Sequence, residues 1–492
     1  MEEMDSAIAN LLQPIKVAVQ ESQSIAPKRN NVSSAIHALL VVLGAVFLSW
    51  PAIYNGYPLM YWDGVEYLAV GHKIAGALFL HRLSPTYGAR SVFYSLAIYP
   101  FHWGAAPWLV VAMQCLLVAW VLWLVVRSIA ASYAETGYIC LMLLLTLLTS
   151  VGWYTSFVMP DILAPVLCLA IYLLVYAGDS LSRVERIALS LIAWWCITAH
   201  GSHLLLAASL CLLLAAATFL EQMLDRRKCR AEDFRAVGQF ALIVIAAVVS
   251  QLAFYGFLCG KPSLTGPHPP FLMARVITDG PGRWYLKQHC PQEHWVICDD
   301  MSSISTDSAT LLFDPTDSWS SSTESVQLRM EAEEVPLVLA ILRTYPRQEF
   351  LRAAANFRHQ LGLFDLYGFS VDETLTELAK NLSPQLVSGY LGSRQARDAL
   401  PLRSLSQVEW WVVIASLAII ARPAPFFVRQ PSRRLAGLCL LIAATIFGNA
   451  CITGVISKPD PRFQCRVIWL VPFLAGLLLL DCFAHRRRGS GS

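Results

Sequence analysis

The sequence predicts an all-α polytopic membrane protein. Three observations predict it: apolar runs long enough to cross a bilayer, a shortage of charge, and a sidedness in the charges that remain. Of 492 residues, 56% are hydrophobic and only 14% are charged, with mean hydropathy +0.52. Soluble domains carry roughly 25% charged residues, so this chain lacks the polar surface that a water-exposed fold requires. A cytosolic enzyme, a nucleic-acid-binding protein and a disordered scaffold are excluded on that ground. The net charge of +3 says little by itself; its distribution says more.

A bilayer span needs about 20 mostly apolar residues. Ten runs qualify: 34–53, 106–126, 137–157, 161–178, 186–202, 203–220, 237–258, 409–421, 435–455 and 467–484. The fifth and sixth run together through His200-Gly201-Ser202-His203, and the eighth is short. The start, Met1-Glu2-Glu3-Met4-Asp5, is not the basic region that opens a cleaved signal peptide. Residues 6–26 have the pattern of an interfacial amphipathic helix.

Basic loops orient the spans, because Lys and Arg accumulate on the cytoplasmic side. With the N-terminus inside, Lys28, Arg29, Arg127, Arg183, Arg186, Arg226, Arg227, Lys228, Arg230 and Arg235 all fall inside. So do Arg422, Arg429, Arg433, Arg434 and Arg486 to Arg488. Both ends are therefore expected in the cytoplasm. The division that results is a cytoplasmic segment 1–33, a transmembrane module 34–258 with a first outer loop 54–105, and an outer domain 259–408. C-terminal spans over 409–484 and a cytoplasmic tail 485–492 complete it.

The outer domain is polar, with a Ser/Thr/Asp-rich stretch at 302–325. Helical spacing follows over 326–362, and more helix is expected at 372–400. Most of the 13 cysteines sit in apolar runs as small hydrophobes. Cys290 and Cys298 lie eight positions apart in the outer domain and form a candidate disulfide, with Cys259 the competing partner.

Cations on the outer face break the charge rule and so invite a functional reading. The first outer loop holds His81, Arg82 and Arg90. The last holds Lys458, Arg462 and Arg466, and the start of the outer domain adds Lys261, His268 and Arg275. Arg forks match phosphate oxygens, so Arg82, Arg90, Lys458, Arg462 and Arg466 are candidates for binding a phosphate. His81, His200, His203, Lys261, His268 and Arg275 are candidates for contacting the rest of a substrate. Lipid-headgroup contact and surface solvation are the plainer explanation for any one of these cations.

The carboxylates are more telling. Asp63 and Glu66, three apart in Tyr61-Trp62-Asp63-Gly64-Val65-Glu66-Tyr67, share a helix face just past the first span. The run 67–80 behind them reads as a helix at the interface. Asp161, in Met159-Pro160-Asp161-Ile162, sits in the short turn between spans three and four. Boundary carboxylates are costly, and their default reading is functional. A helix cap is the plainer role for Asp161. Aromatics such as Tyr61, Trp62, Trp103 and Trp108 suit an interface belt.

Carboxylates beside phosphate-binding cations suit transfer of a sugar from a polyprenyl phosphate. One carboxylate deprotonates the acceptor hydroxyl, and the cations stabilise charge on the departing lipid phosphate. Alternatively, Asp63 and Asp161 hold a divalent cation, Mg or Mn, through hard oxygen ligands.

On these residues the layout resembles the integral-membrane glycosyltransferases of the GT-C superfamily. It is most similar to the subgroup of the protein O-mannosyltransferases and the aminoarabinose lipid A transferase. Asp63-Gly64-Val65-Glu66 matches that family's first acidic motif, and Met159-Pro160-Asp161 matches its second. The resemblance covers roughly 34–260 and implies a seven-helix module, a polyprenyl-phosphate-sugar donor, and a glycan, lipid or protein acceptor. It also implies a bacterial inner membrane with the active site on the periplasmic face. Asp63, the earlier and loop-borne carboxylate, is the expected base; Glu66 competes for that role. A lipid-linked-sugar flippase and a membrane polysaccharide polymerase are the competing functions. Transporters usually carry internal repeats, and none is visible here.

Overall fold

The computed structural model describes the chain except residues 1–30, 81–89, 225–233, 267, 302–303, 315–318, 320, 372–374, 378–379, 381, 423–431 and 490–492. The expected interfacial helix at 6–26 and two site candidates, His81 and Arg82, lie outside the described residues. Among those residues the fold is helical throughout. Its single extended contact is an isolated parallel bridge between Leu59 and Phe157.

Among the described residues eight helices are long and apolar enough to cross a membrane, which makes this a multi-pass membrane protein. They cover Ser34–Asn55, Trp108–Ile129, Ala131–Leu148, Gly201–Leu224, Arg235–Cys259, Leu402–Ala421, Arg433–Ile456 and Pro461–Phe483. The other two expected spans fold as helices that are too short. Run 161–178 becomes Leu163–Tyr176, with 14 residues, and run 186–202 becomes Arg183–Thr198, with 16. At 1.5 Å per residue the longer covers only about 24 Å, short of a bilayer core of about 30 Å. Leu163–Tyr176 is instead the buried centre of the bundle, with every residue from Leu163 to Leu173 buried. That explains its unbroken apolarity.

The short eighth run extends back to Leu402, because its first turns carry inward-facing polar groups. Ser406 Oγ accepts the Leu366 N–H at 2.9 Å, and Glu409 Oε1 accepts the Ser150 N–H at 2.8 Å.

The polar segment 259–408 does not fold as one body. Residues 271–345 build a second hydrophobic core around Met273, Leu286, Leu337 and Ile341. Phe364, Leu366, Phe369, Leu386 and Tyr390 pack instead on the core of the apolar bundle. Cys290 and Cys298 are disulfide-bonded, as their spacing suggests. The expected helical run at 326–362 breaks into Glu324–Thr344 and Pro346–Gly362. Tyr345 leaves the helical region (φ −125°, ψ 49°) because the ring of Pro346 disfavours α backbone in the residue before it.

Candidate functional site

Three stretches distant in sequence meet at one place. The first is the helix Trp62–Leu80, which carries Asp63 in its first turn and Glu66 one turn on. It is led in by residues 57–61, whose Leu59 N–H donates to Ser156 O (2.9 Å) while Val158 N–H donates to Leu59 O (3.1 Å). Gly64 permits this approach: a Cβ there would stand 2.8 Å from the Val158 carbonyl oxygen. The second stretch is therefore 156–162, which carries Asp161 in a 3₁₀ turn over Pro160–Ile162. Asp161 does not serve as the helix cap considered above; its carboxylate points to arginines.

The third stretch is the helix Pro461–Ile468, with Arg462 and Arg466 one turn apart on one face. Asp460 caps it by accepting the Arg462 N–H at 2.9 Å. Gln360 holds the cap in turn, donating to Asp460 O and accepting from Asp460 N, both at 2.9 Å. The Tyr154 hydroxyl donates to the Arg462 carbonyl at 2.8 Å.

These stretches, joined by Arg90 from just before the helix Val92–Ile98, assemble a network of three carboxylates and three guanidinium groups. Arg90 pairs with Asp63 Oδ1 and, through Nε, with Glu66 Oε2 at 2.9 Å. Arg462 Nη1 donates to Asp63 Oδ2 at 3.2 Å, and its Nε lies 3.7 Å from Asp161 Oδ1. Arg466 Nη1 donates to the same Asp161 oxygen at 3.3 Å. Arg462 thus bridges the two acidic motifs. Asp161 and Arg466 are each only 1% exposed.

Aromatic faces complete the walls: Arg90 lies over Trp62, Arg462 between Tyr61 and Phe463. Cation–π contact adds to each guanidinium's hold where water is excluded. Tyr61 and Trp62, expected mostly as interface-belt aromatics, therefore belong to the site. Burial pushes the Glu66 carboxyl above the ordinary carboxylate range, and the Arg90 guanidinium opposes that rise.

Several expected site residues lie elsewhere. Lys458 pairs with Asp307 at 2.8 Å on the surface, although it stands only four residues from Arg462. It precedes the cap, so the helix that aims Arg462 inward does not carry it. Arg275 is buried in the second core, paired with Glu349 at 2.8 Å and Asp279 at 3.2 Å, where it is a structural ion pair. His268 stands 3.9 Å from Glu331, and Lys261 is exposed in the loop after Cys259.

His200 reaches the cluster, and the His203 ring packs beside it with ring centroids 5.1 Å apart. The Ser202 hydroxyl accepts from Arg466 Nη2 at 3.2 Å and lies 2.8 Å from His200 Nδ1. The Ser202 N–H also donates to that Nδ1, so the nitrogen is an acceptor there.

Four contributors were not singled out from the sequence. Asn449 Oδ1 accepts from Arg466 Nη2 at 2.7 Å and Nε at 3.2 Å. Ser202 is the second. Gln395 grips Met60 by both its N–H (3.0 Å) and its carbonyl (2.8 Å), fixing the lead-in to Asp63. Buried Glu409 ties Ser150 N to the Cys465 thiol (3.5 Å) behind the arginine helix. Polar residues inside apolar helices were the available signal for Asn449 and Glu409.

Comparison with known proteins finds no match to this chain: no family model, no curated protein and no solved structure.

Proposed function

We propose that the protein is a membrane glycosyltransferase of GT-C type. It moves a sugar from a polyprenyl-phosphate-linked donor to an acceptor hydroxyl on the periplasmic face of a bacterial inner membrane. The observation that carries this reading is the convergence of Asp63, Glu66 and Asp161 with Arg90, Arg462 and Arg466. Buried ion pairs are poor stabilisers compared with packed apolar residues, and charges within a membrane protein are retained for work.

The chemistry is a single displacement that inverts the anomeric carbon. A carboxylate accepts the acceptor's hydroxyl proton, the oxygen bonds to C1, and the C1–O bond to the lipid phosphate breaks. Arg90 and Arg462, which hold Asp63 between them, are the cations nearest the first motif and meet the charge on the leaving phosphate. General-base assistance contributes roughly 10²–10⁴-fold, and each fixed donor to the developing anion about 3 kcal/mol.

A divalent cation fits this donor set poorly. Among the described residues no three His, Cys, Asp or Glu side chains gather as a metal group. Both oxygens of Asp63 already accept from guanidinium groups, whereas Mg needs near-octahedral oxygen coordination. The proposed steps use the chain's own groups.

The wider reading has a seven-helix module in which Leu163–Tyr176 and Arg183–Thr198 stop short of a full crossing, eight membrane passes and both ends cytoplasmic, with 259–408 recognising the acceptor. The eight full-length helices and the separate second core support it. Asp63→Asn and Asp161→Asn test the reading. Each is expected to lower sugar transfer at least 100-fold at a temperature where the variant remains folded. Normal transfer by the double variant overturns it.

A further inference from the structure

We infer that the acceptor is a polyol, a sugar presenting neighbouring hydroxyls, and that Asp161 rather than Asp63 takes its proton. The inference rests on the sugar-transfer reading and deepens it. Asp63 has no oxygen to spare: Oδ1 accepts from Arg90 and Oδ2 from Arg462. On Asp161 only Oδ1 is engaged; Oδ2 is buried with no hydrogen-bond partner. An orphaned buried oxygen costs stability, and such groups persist where a ligand completes them.

Two further buried groups in the same charge network also lack a partner. His203 is fully buried, and its Nδ1 lies 2.9 Å from the Cys196 carbonyl. A carbonyl only accepts, so Nδ1 carries the hydrogen and Nε2 is the acceptor of the neutral ring. That Nε2 has no partner, and the ring lies within electrostatic reach of Asp161 and Arg466. The third orphan is a donor, Arg462 Nε–H, which also lacks a hydrogen-bond partner. The empty positions are thus one donor and two acceptors.

A single hydroxyl satisfies two of them: its oxygen accepts from Arg462 Nε–H and its hydrogen points to Asp161 Oδ2. His203 Nε2 then requires a second O–H. A serine or threonine side chain has one hydroxyl and leaves His203 unsatisfied, whereas a sugar supplies both. In the transfer step the first hydroxyl's proton passes to Asp161 Oδ2 and its oxygen bonds to C1. The C1–O bond breaks, with its electron pair leaving on the lipid phosphate.

The test uses full-length protein in lipid nanodiscs with a panel of undecaprenyl-phosphate monosaccharides. Methyl β-glucoside, 1-propanol and N-acetylthreonine amide serve as acceptors, and sodium azide as an acceptor with no proton to lose. Expected are a kcat/KM for the glucoside at least tenfold above the single-hydroxyl acceptors and loss of that preference in His203→Ala. Asp161→Ala is expected to lose transfer to the glucoside but still form glycosyl azide, while Asp63→Ala forms neither product. Equal use of propanol or the threonine amide overturns the polyol assignment; the histidine variant carries this arm even where the aspartate variants fold poorly. Azide rescue of Asp63→Ala in place of Asp161→Ala overturns the base assignment. A wild-type protein inert toward every pair overturns the sugar-transfer reading and the inference with it. That failure is distinct because it appears before any substitution.

Discussion

Replacing Arg466 by Met tests whether the cluster is one electrostatic unit. Arg466 is 1% exposed and contacts Asp161 (3.3 Å), Asn449 (2.7 Å) and Ser202 (3.2 Å). Methionine fills most of the same volume, so packing is largely conserved. What is lost is the countercharge of Asp161, left with Arg462 Nε at 3.7 Å. Breaking a buried pair by removing one partner costs about 3–5 kcal/mol. At roughly 2–4 °C per kcal/mol, the melting temperature falls on the order of 10 °C. Adding Asp161→Asn removes the stranded charge and recovers most of the loss, for a coupling energy of about 2 kcal/mol or more. The assay is thermal unfolding in detergent followed with a thiol-reactive dye, because Cys115, Cys168, Cys196 and Cys465 are buried until the bundle opens. Additivity of the two substitutions to within about 0.5 kcal/mol refutes the coupling.

Two other outcomes concern the second core and its edge. Replacing both Cys290 and Cys298 by Ser opens a loop of sequence separation eight, worth about 2.6 kcal/mol by loop entropy. Proteolysis within 271–345 is then expected to accelerate roughly 80-fold under native conditions, with the melting of the apolar bundle unmoved; an unchanged cleavage rate contradicts this. Lys458→Ala is expected to change sugar transfer less than about twofold, since the Lys458–Asp307 pair is a surface bridge. Partial burial opposes ionisation of Asp307, but the Lys458 ammonium and the Thr310 N–H outweigh it and hold the carboxyl below its ordinary range. The stabilisation is therefore full above an ordinary aspartate pKa of about 3.9 and fades as pH falls below it. The melting difference between wild type and Asp307→Asn should shrink from pH 6 to pH 3, and a difference that grows contradicts the sign.

How much of this was legible in the sequence follows from what each signal depends on. Helical class and membrane residence depend on composition and run length, so they survive without tertiary knowledge. Asp63, Glu66, Asp161, Arg90, Arg462 and Arg466 stood out as charges where lipid or short turns surround them, and they converge. Spacing could not separate Lys458 from Arg462, because the helix that aims Arg462 begins between them at the Asp460 cap. Nor could it assign Arg275, whose partner Glu349 lies 74 positions away. Asn449 and Gln395 act through partners distant in the chain or around a helix, and their role is set by packing alone. The buried Leu163–Tyr176 helix resembled a span because a bundle centre and a bilayer impose the same apolarity; only its length distinguishes them.

Native mass spectrometry of lipids retained by the purified full-length protein tests the central claim most directly. A polyprenyl phosphate, with or without its sugar, is expected, and it is released when Arg90 and Arg462 are both replaced by Met. A retained population of ordinary phospholipids alone, the same in wild type and in that variant, contradicts it.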